Sequence, residues 1–510
     1  MSIKLLGTAL SILALIKIYR YVASRGTLPY PPGPPGDFVI GNLRQMPLSY
    51  PWLVFTKWAQ RYGPINYLNI GGNSILILNT QEVALALLEK KASIYSDRPR
   101  FIMASELAGM EHVIIFLRYG ALHKKHRKLV AQSLHPRVVE RDFVPLQERF
   151  THQLAQALLD DPDHFMDHID RCAGKTVTTI AYGEDNPDVV EMGRATMKYI
   201  AKITTGYVVE FLPWLKYVPE WFPGAQFQKD ARLAKEIYEK TRWIPYNTAV
   251  EKAEKGTAPA SFVLSALEAM KTAKAGEIDA NIISSSAFTL IGGGSETSAA
   301  TLSTFVLAML LYPDVQARAQ AELDRVVGDH LPTIASKDST PYLNAIINET
   351  LRWHPVVPLG LPHSLIQDDV YNEYLIPAGT TILANVWGIL HDEHHFPDPF
   401  TFNPERFLPS ENAKEISEAP LDPWTVAFGY GRRMCQGIPV AQSGLWIAMA
   451  TILSCFNIQQ KFDPETKKPM VTEPLFSGES ISPPLPFACD ITPRSTRHAD
   501  RIRESVSTSL

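Results

Sequence analysis

Cysteine is scarce in this chain, and the few residues present are scattered. Cys172, Cys435, Cys455 and Cys489 are the only four in 510 residues. No pair is spaced as CxxC, which argues against a zinc ribbon or finger, and four in this length make no disulfide framework. A reducing compartment is the expectation. Surplus positive charge is also missing: the formal net charge is −4, which argues against a general nucleic-acid binder. No Gly-rich stretch runs into Gly-Lys-Ser/Thr, so there is no P-loop, and His391, His394 and His395 lack the HExxH register of a zinc site. Apolar residues are plentiful at 45%, with 20% charged, and that composition supports a sizeable core.

Long apolar runs are rare, and the notable one is N-terminal. Ile3 to Ile18 is mostly apolar, interrupted by Lys4 and Lys17. As a helix it spans about 24 Å, short of a hydrocarbon core of roughly 30 Å, but snorkelling lysines extend its reach. No clean small-x-small cleavage site follows it. Residues 1–25 are therefore expected to be a retained membrane anchor. Lys17, Arg20 and Arg25 bias the body to the cytoplasmic side. Pro29-Tyr30-Pro31-Pro32-Gly33-Pro34-Pro35-Gly36 reads as a stiff polyproline spacer. The resulting division is an anchor over 1–25, a hinge over 26–41, a body over 42–493 and a polar, loosely ordered tail over 494–510.

Within the body, Ile65 to Ile70 and Ser74 to Leu78 flank Gly71-Gly72-Asn73, a hairpin signal. Gln81 to Lys90 reads as an amphipathic helix, and Tyr119 to Leu129 as a strongly basic one. Ala280 to Tyr312 is the longest helical pattern, about 50 Å at standard rise, capped by Asp279 and closed by Pro313. Inside it lie Gly292, Gly293 and Gly294. Each costs roughly 0.8–1 kcal/mol against alanine, so a close approach or a local distortion is expected there. Pro341 opens another helix that ends at Trp353, with Glu349 and Arg352 on one face. The class is mainly α with small β-sheets.

Phe428-Gly429-Tyr430-Gly431-Arg432-Arg433-Met434-Cys435-Gln436-Gly437 precedes an apolar helical run from Val440 to Leu453. Cys435 thus stands just before a helix N-terminus, where dipole and free N–H groups favour a thiolate. Glycines allow close approach of a flat ligand, and arginines can hold its acidic groups. A buried structural cysteine in a glycine-rich turn is the plainer alternative.

The spacing of Phe428, Gly431, Arg433, Cys435 and Gly437 resembles the haem-binding loop of the cytochrome P450 haem-thiolate monooxygenases. Matches in family order reach from the proline stretch to Gly437. The resemblance implies a triangular helical prism around haem b, with Cys435 as the axial iron ligand. Gly293-Gly294-Ser295-Glu296-Thr297-Ser298 matches the distal helix, where Glu296 and Thr297 manage proton delivery. Glu349, Arg352 and Arg406 match the ExxR helix and its arginine partner, a structural triad. Arg433 and His363 take haem-propionate positions. His123 and Lys124 stand where the family carries Trp-Arg, whose arginine binds a haem propionate; both can still donate to that carboxylate and are expected to, although the bidentate arginine fork is lost. Lys125, Arg127 and Lys128 would face an acidic electron donor. Phe211 to Phe222, aromatic and proline-rich, would dip into the membrane beside a mouth for apolar substrates. Pocket lining is expected from Phe101 to Phe116, Phe288, Ile291, Val357 and Leu475-Phe476.

With no nucleotide-binding fingerprint, electrons are expected from NADPH through a separate cytochrome P450 reductase on the endoplasmic reticulum membrane. The overall similarity is to fungal microsomal members of secondary metabolism, terpenoid or aromatic, which implies hydroxylation of an apolar small molecule with dioxygen. A broad-specificity xenobiotic oxidase, a peroxygenase-type enzyme and a non-catalytic haem sensor remain alternatives. The acid–threonine pair argues against the peroxygenase.

Overall fold

The early hairpin seeds the largest sheet. The computed structural model describes residues 28–204, 206–274, 276–408, 420–463 and 465–508; the expected anchor over 1–25 lies outside them. Helix α1 (Pro51–Tyr62) leads into β1 (Ile65–Ile70), which pairs antiparallel with β2 (Asn73–Leu78), Ile65 opposite Leu78. The strands alternate or run apolar because one face packs on Phe55 and its neighbours. The Gln81–Lys90 segment is helical, but its second half, Leu85–Lys90, widens into a π turn.

Helices α2 (Ala121–Ser133), α3 (Val144–Asp160), α4 (Phe165–Tyr182), α5 (Pro187–Ile203), α6 (Gln226–Glu254) and α7 (Phe262–Thr272) follow. Then comes α8 (Ala280–Leu311), 32 residues long, with Asp279 accepting the Ile282 N–H at 2.9 Å. It is apolar on nearly all sides, and most of its side chains are buried, as expected of a helix through a large core. Pro313 opens α9 (Pro313–Val327), and α10 (Pro341–Trp353) packs beside it. Strands β3 (His363–Ser364), β4 (Asp369–Tyr371), β5 (Tyr374–Ile376) and β6 (Thr381–Ala384) come next. β6 inserts between β2, in parallel, and β3, antiparallel, giving the order β1-β2-β6-β3. Helix α11 (Ile438–Cys455) is long and apolar enough to cross a membrane, yet its side chains form the core beside α3 and α8.

Two expectations are corrected. The proline stretch is not a free spacer. Pro32 accepts the Tyr67 N–H at 2.9 Å, Pro29 accepts the Leu375 N–H at 2.8 Å, and Tyr30 stacks on Tyr67 at 4.9 Å. Its prolines lack N–H groups, but the stretch still offers carbonyls to neighbouring strands. The tail is not loose either. After β7 (Phe456–Gln459) and β8 (Asp490–Pro493) pair antiparallel, α12 (Thr496–Thr508) buries Ala499 and Ile502. Arg494 binds Asp324 at 2.6 Å and Arg501 binds Asp329 at 2.7 Å. Its apolar residues are few, but their three-residue spacing suffices for one buried face.

Candidate active site

Cys435 sits in the turn that enters α11. Its N–H donates to the Phe428 carbonyl at 2.9 Å, and its sulfur accepts the Gly437 N–H at 3.3 Å. The side chain is accessible although the loop is deep in protein, so the sulfur opens into an internal space. Burial pushes the thiol's pKa up, against the lowering effects of the Gly437 N–H and Arg127. Burial is the largest of these effects, and coordination to a metal is what deprotonates such a group. Gly431 is required: at φ +54° a Cβ would lie 2.3 Å from the Leu88 carbonyl oxygen.

Around the loop lies an unusual density of buried cations. Arg433 donates to the carbonyls of Ser96 at 2.7 Å and Leu117 at 2.6 Å. Arg98, 4% exposed, donates to the Leu361 carbonyl at 3.0 Å, to Pro362 and to Ile115 at 3.0 Å. Arg127 reaches the Met434 carbonyl at 2.9 Å. Burial, then Arg433, pushes Arg98 down to about 9, and burial, then Arg127, pushes Arg433 down to about 10, with Asp97 opposing both. The acid beside them, Asp97, already accepts from Arg118 and from the Tyr119 N–H, each at 2.7 Å. Buried His363 donates Nδ1–H to the Tyr95 carbonyl at 2.8 Å, and burial, then Arg98, push it down to about 3. His123 is 1% exposed, and neither ring nitrogen has a partner. Burial, then Arg433, Arg127 and Arg98, push it down to about 3. Such a cluster is costly unless an anion completes it.

Lys124 is not part of this cluster. It is exposed, with its ammonium 5.3 Å from the Tyr119 ring. Arg127, expected to face a donor protein, turns inward instead. Lys125 donates to the Gly276 carbonyl at 2.7 Å, and Lys128 pairs with Glu277 at 3.1 Å. Arg98, which carries no sequence signal, and Arg127 are the site residues that the sequence missed. One helical turn separates His123 from Arg127, and that spacing was the available clue.

On α8 the three glycines divide their tasks. A Cβ on Gly292 would lie 2.8 Å from Met197 Sδ, and one on Gly294 would lie 2.6 Å from Val177 Cγ1. Those two permit close packing with α5 and α4. Gly293 is exposed in the middle of this buried helix and would meet nothing within 4 Å. Thr297 Oγ1 donates to the Gly293 carbonyl at 2.7 Å, a back-bond that loosens the helix locally. Glu296 is half-buried. Burial, then Asp170 and Glu479, raise it to about 7, opposed by Arg194.

Glu349 and Arg352 are both fully buried and joined at 2.6 and 2.8 Å. Arg352 also donates to the Pro399 carbonyl at 2.8 Å, Glu349 accepts the Asn403 N–H at 2.7 Å, and Arg406 Nε approaches Glu349 at 3.5 Å. A neighbour on the same helix extends the brace. Asn348 accepts from Trp424 Nε1 at 2.9 Å, and Trp424 stacks at 4.8 Å on Phe428, whose carbonyl holds the Cys435 N–H.

Phe101, Phe116 and Phe288 meet in one apolar cluster, with Phe101 and Phe116 5.1 Å apart. Ile291 is buried in a neighbouring cluster. Val357 is half-buried, Leu475 is 54% exposed and Phe476 stacks on His354 at 3.5 Å, so the last two do not join that cluster.

A lone accessible sulfur beside surplus buried cations fits a haem that brings iron and two carboxylates. The cytochrome P450 family profile matches residues 31–487. The chain is 36% identical over 505 residues to cytochrome P450 monooxygenase claR of Ampulloclitocybe clavipes, covering 97% of this chain and 92% of that one. It is 38% identical over 475 residues to a tryptamine 4-monooxygenase of Psilocybe cyanescens, covering 91% and 93%. A zebrafish cytochrome P450 solved with abiraterone shares the fold, with TM-score 0.71, 22% identity and 87% of this chain covered. The chain belongs to the cytochrome P450 family. It is a haem-dependent monooxygenase, an oxidoreductase that incorporates oxygen from dioxygen, and the two monooxygenases named above are fungal.

Proposed function

We propose that this enzyme hydroxylates an apolar small molecule of fungal secondary metabolism, taking electrons from NADPH through a separate cytochrome P450 reductase. One observation carries the reading: the accessible Cys435 sulfur lies beside buried Arg98 and Arg433, which form no ion pair among the described residues, while the nearby acid Asp97 is engaged by Arg118 and the Tyr119 N–H. Haem held by a cysteine thiolate supplies dioxygen activation. Cys435 would be the axial ligand, with the Gly437 N–H tuning its donation. Arg98, Arg127, Arg433, His363 and His123 would hold the propionates. Phe428 and Gly431 set the loop's path. Thr297 would hold a proton at Oγ1 beside the opening at Gly293. Glu296, raised to about 7 by burial, is poised to pass protons near neutral pH.

A membrane setting is supported by the stretch from Phe211 to Phe222, where Trp214, Tyr217 and Trp221 are 62, 78 and 80% exposed. Endoplasmic reticulum anchoring through 1–25 is supported by the apolar run from Ile3 to Ile18, and a cytoplasmic body by its basic flank. Lys124, Lys128 and Arg432, exposed on the side of the cysteine loop, suit an acidic reductase. The test is co-expression with a reductase and metabolite profiling. A new hydroxylated apolar product supports the reading. Stoichiometric haem and NADPH consumption with no product across a broad apolar panel contradicts it and favours the sensor.

A further inference from the structure

The ring of His123 on α2 is enclosed, and neither of its nitrogens has a partner. The groups that act on it electrostatically are all basic. Arg127 and His126 come from its own helix, Arg98 from the segment after Tyr95, and Arg433 from the turn before Cys435. His126 shares a hydrogen bond with Ser286 of α8 at 2.8 Å, and burial keeps it uncharged. Buried His363 on β3 lies under the same two guanidiniums, Arg98 and Arg433. Cys435 acts on Arg127. The nearby acid, Asp97, is engaged by Arg118 and the Tyr119 N–H. Lys124, next in sequence, is exposed.

An indole in this place offers one N–H and does not titrate. An imidazole offers a donor and an acceptor when neutral and two donors when protonated. Burial and the guanidiniums hold the His123 ring uncharged. The two carboxylates of a haem work in the opposite sense, because opposite charge a few ångströms away favours the charged form. One electron added to that haem brings a further negative charge into the same enclosed space, where a low dielectric keeps the attraction strong. Solvent is close at hand for a proton. Tyr119 is half-buried, its ring lies 5.6 Å from that of His123, and its hydroxyl accepts from Arg432 at 2.6 Å.

We propose that His123 is a positioning residue for electron entry: as ferric haem gains one electron from the reductase, the His123 ring takes one proton from solvent and donates it in a hydrogen bond to a haem propionate. Electron and proton arrive together, so the charge of the enclosed site does not change on reduction. The inference rests on the haem-thiolate reading of Cys435. The linkage acts between the pKa of the ring before reduction and its higher pKa after it. Over that interval the haem becomes harder to reduce as pH rises; below and above it His123 contributes no pH dependence.

The test is a spectroelectrochemical titration of the full-length holoenzyme between about pH 5 and 8, where histidine changes charge. Every sample carries Glu296→Gln, which removes the other group raised toward neutrality. With His123 in place, the ratio of reduced to oxidised haem at a fixed potential should fall by a factor approaching about tenfold per pH unit within the interval, equivalent to about 59 mV. His123→Trp should flatten the profile. So should His123→Gln, which keeps a donor and an acceptor but has no titrating proton, and which serves if the indole does not pack. A flat profile with His123 in place, or a slope that persists in either variant, overturns the assignment. The thiolate-type band of the reduced CO complex, recorded in the same samples, separates that outcome from failure of the haem-thiolate reading.

Discussion

Glu296 carries a cost at neutral pH that a glutamate in water does not. Its pKa is raised from the ordinary 4.5 to about 7, mainly by burial. The folded state therefore binds a proton that the unfolded state has released between those values, and stability falls as pH rises from about 4.5 to 7. Glu296→Gln removes that loss. The variant should match wild type near pH 4 and exceed it by about 2 kcal/mol at pH 8, after allowance for partial exposure. Urea unfolding of the holoenzyme at both values checks this; turnover should fall while stability rises. The proposed propionate donors show what a helical period can and cannot reveal. Spacing pointed to Arg127, four residues from His123, but did not exclude Lys124, which is three from Arg127; its exposure on α2 does. Arg98 was not legible, because its partners are the carbonyls of Ile115, Leu361 and Pro362, which carry no side-chain pattern.

At the scale of the element, α8 pairs tight packing with an opening. A methyl on Gly294 collides with Val177, which is itself buried. Gly294→Ala should destabilise by about 1–3 kcal/mol from overpacking, partly offset by helix propensity. Gly293→Ala meets nothing and should stabilise by about 0.8–1 kcal/mol. Its methyl would project into the space beside Thr297, so CO association with the reduced enzyme should slow. Opposite signs in urea unfolding for two adjacent glycines are the check; equal signs would mean that both merely pack. The sequence marked three costly glycines, but not which of them faced neighbours, because that depends on where α4 and α5 cross.

Across the whole molecule, the ExxR brace links segments that lie far apart in sequence. Glu349→Gln leaves Arg352 buried with its charge partner gone, and should cost about 3–5 kcal/mol. Haem retention during urea titration should drop with it, because Asn348, Trp424 and Phe428 connect the same helix to the cysteine loop. The long helices, the hairpin and the cysteine loop were legible because periodicity, turn residues and metal chemistry each restrict residue type. Docking of the proline stretch and ordering of α12 were not, because both depend on carbonyls and ion pairs supplied by remote segments.

The central claim is that Cys435 is the haem ligand. The most direct measurement is the Soret band of the reduced CO complex in wild type and Cys435→Ala. Wild type should give the red-shifted thiolate-type band, and Cys435→Ala should lose it. A thiolate-type band that persists in Cys435→Ala would contradict the account.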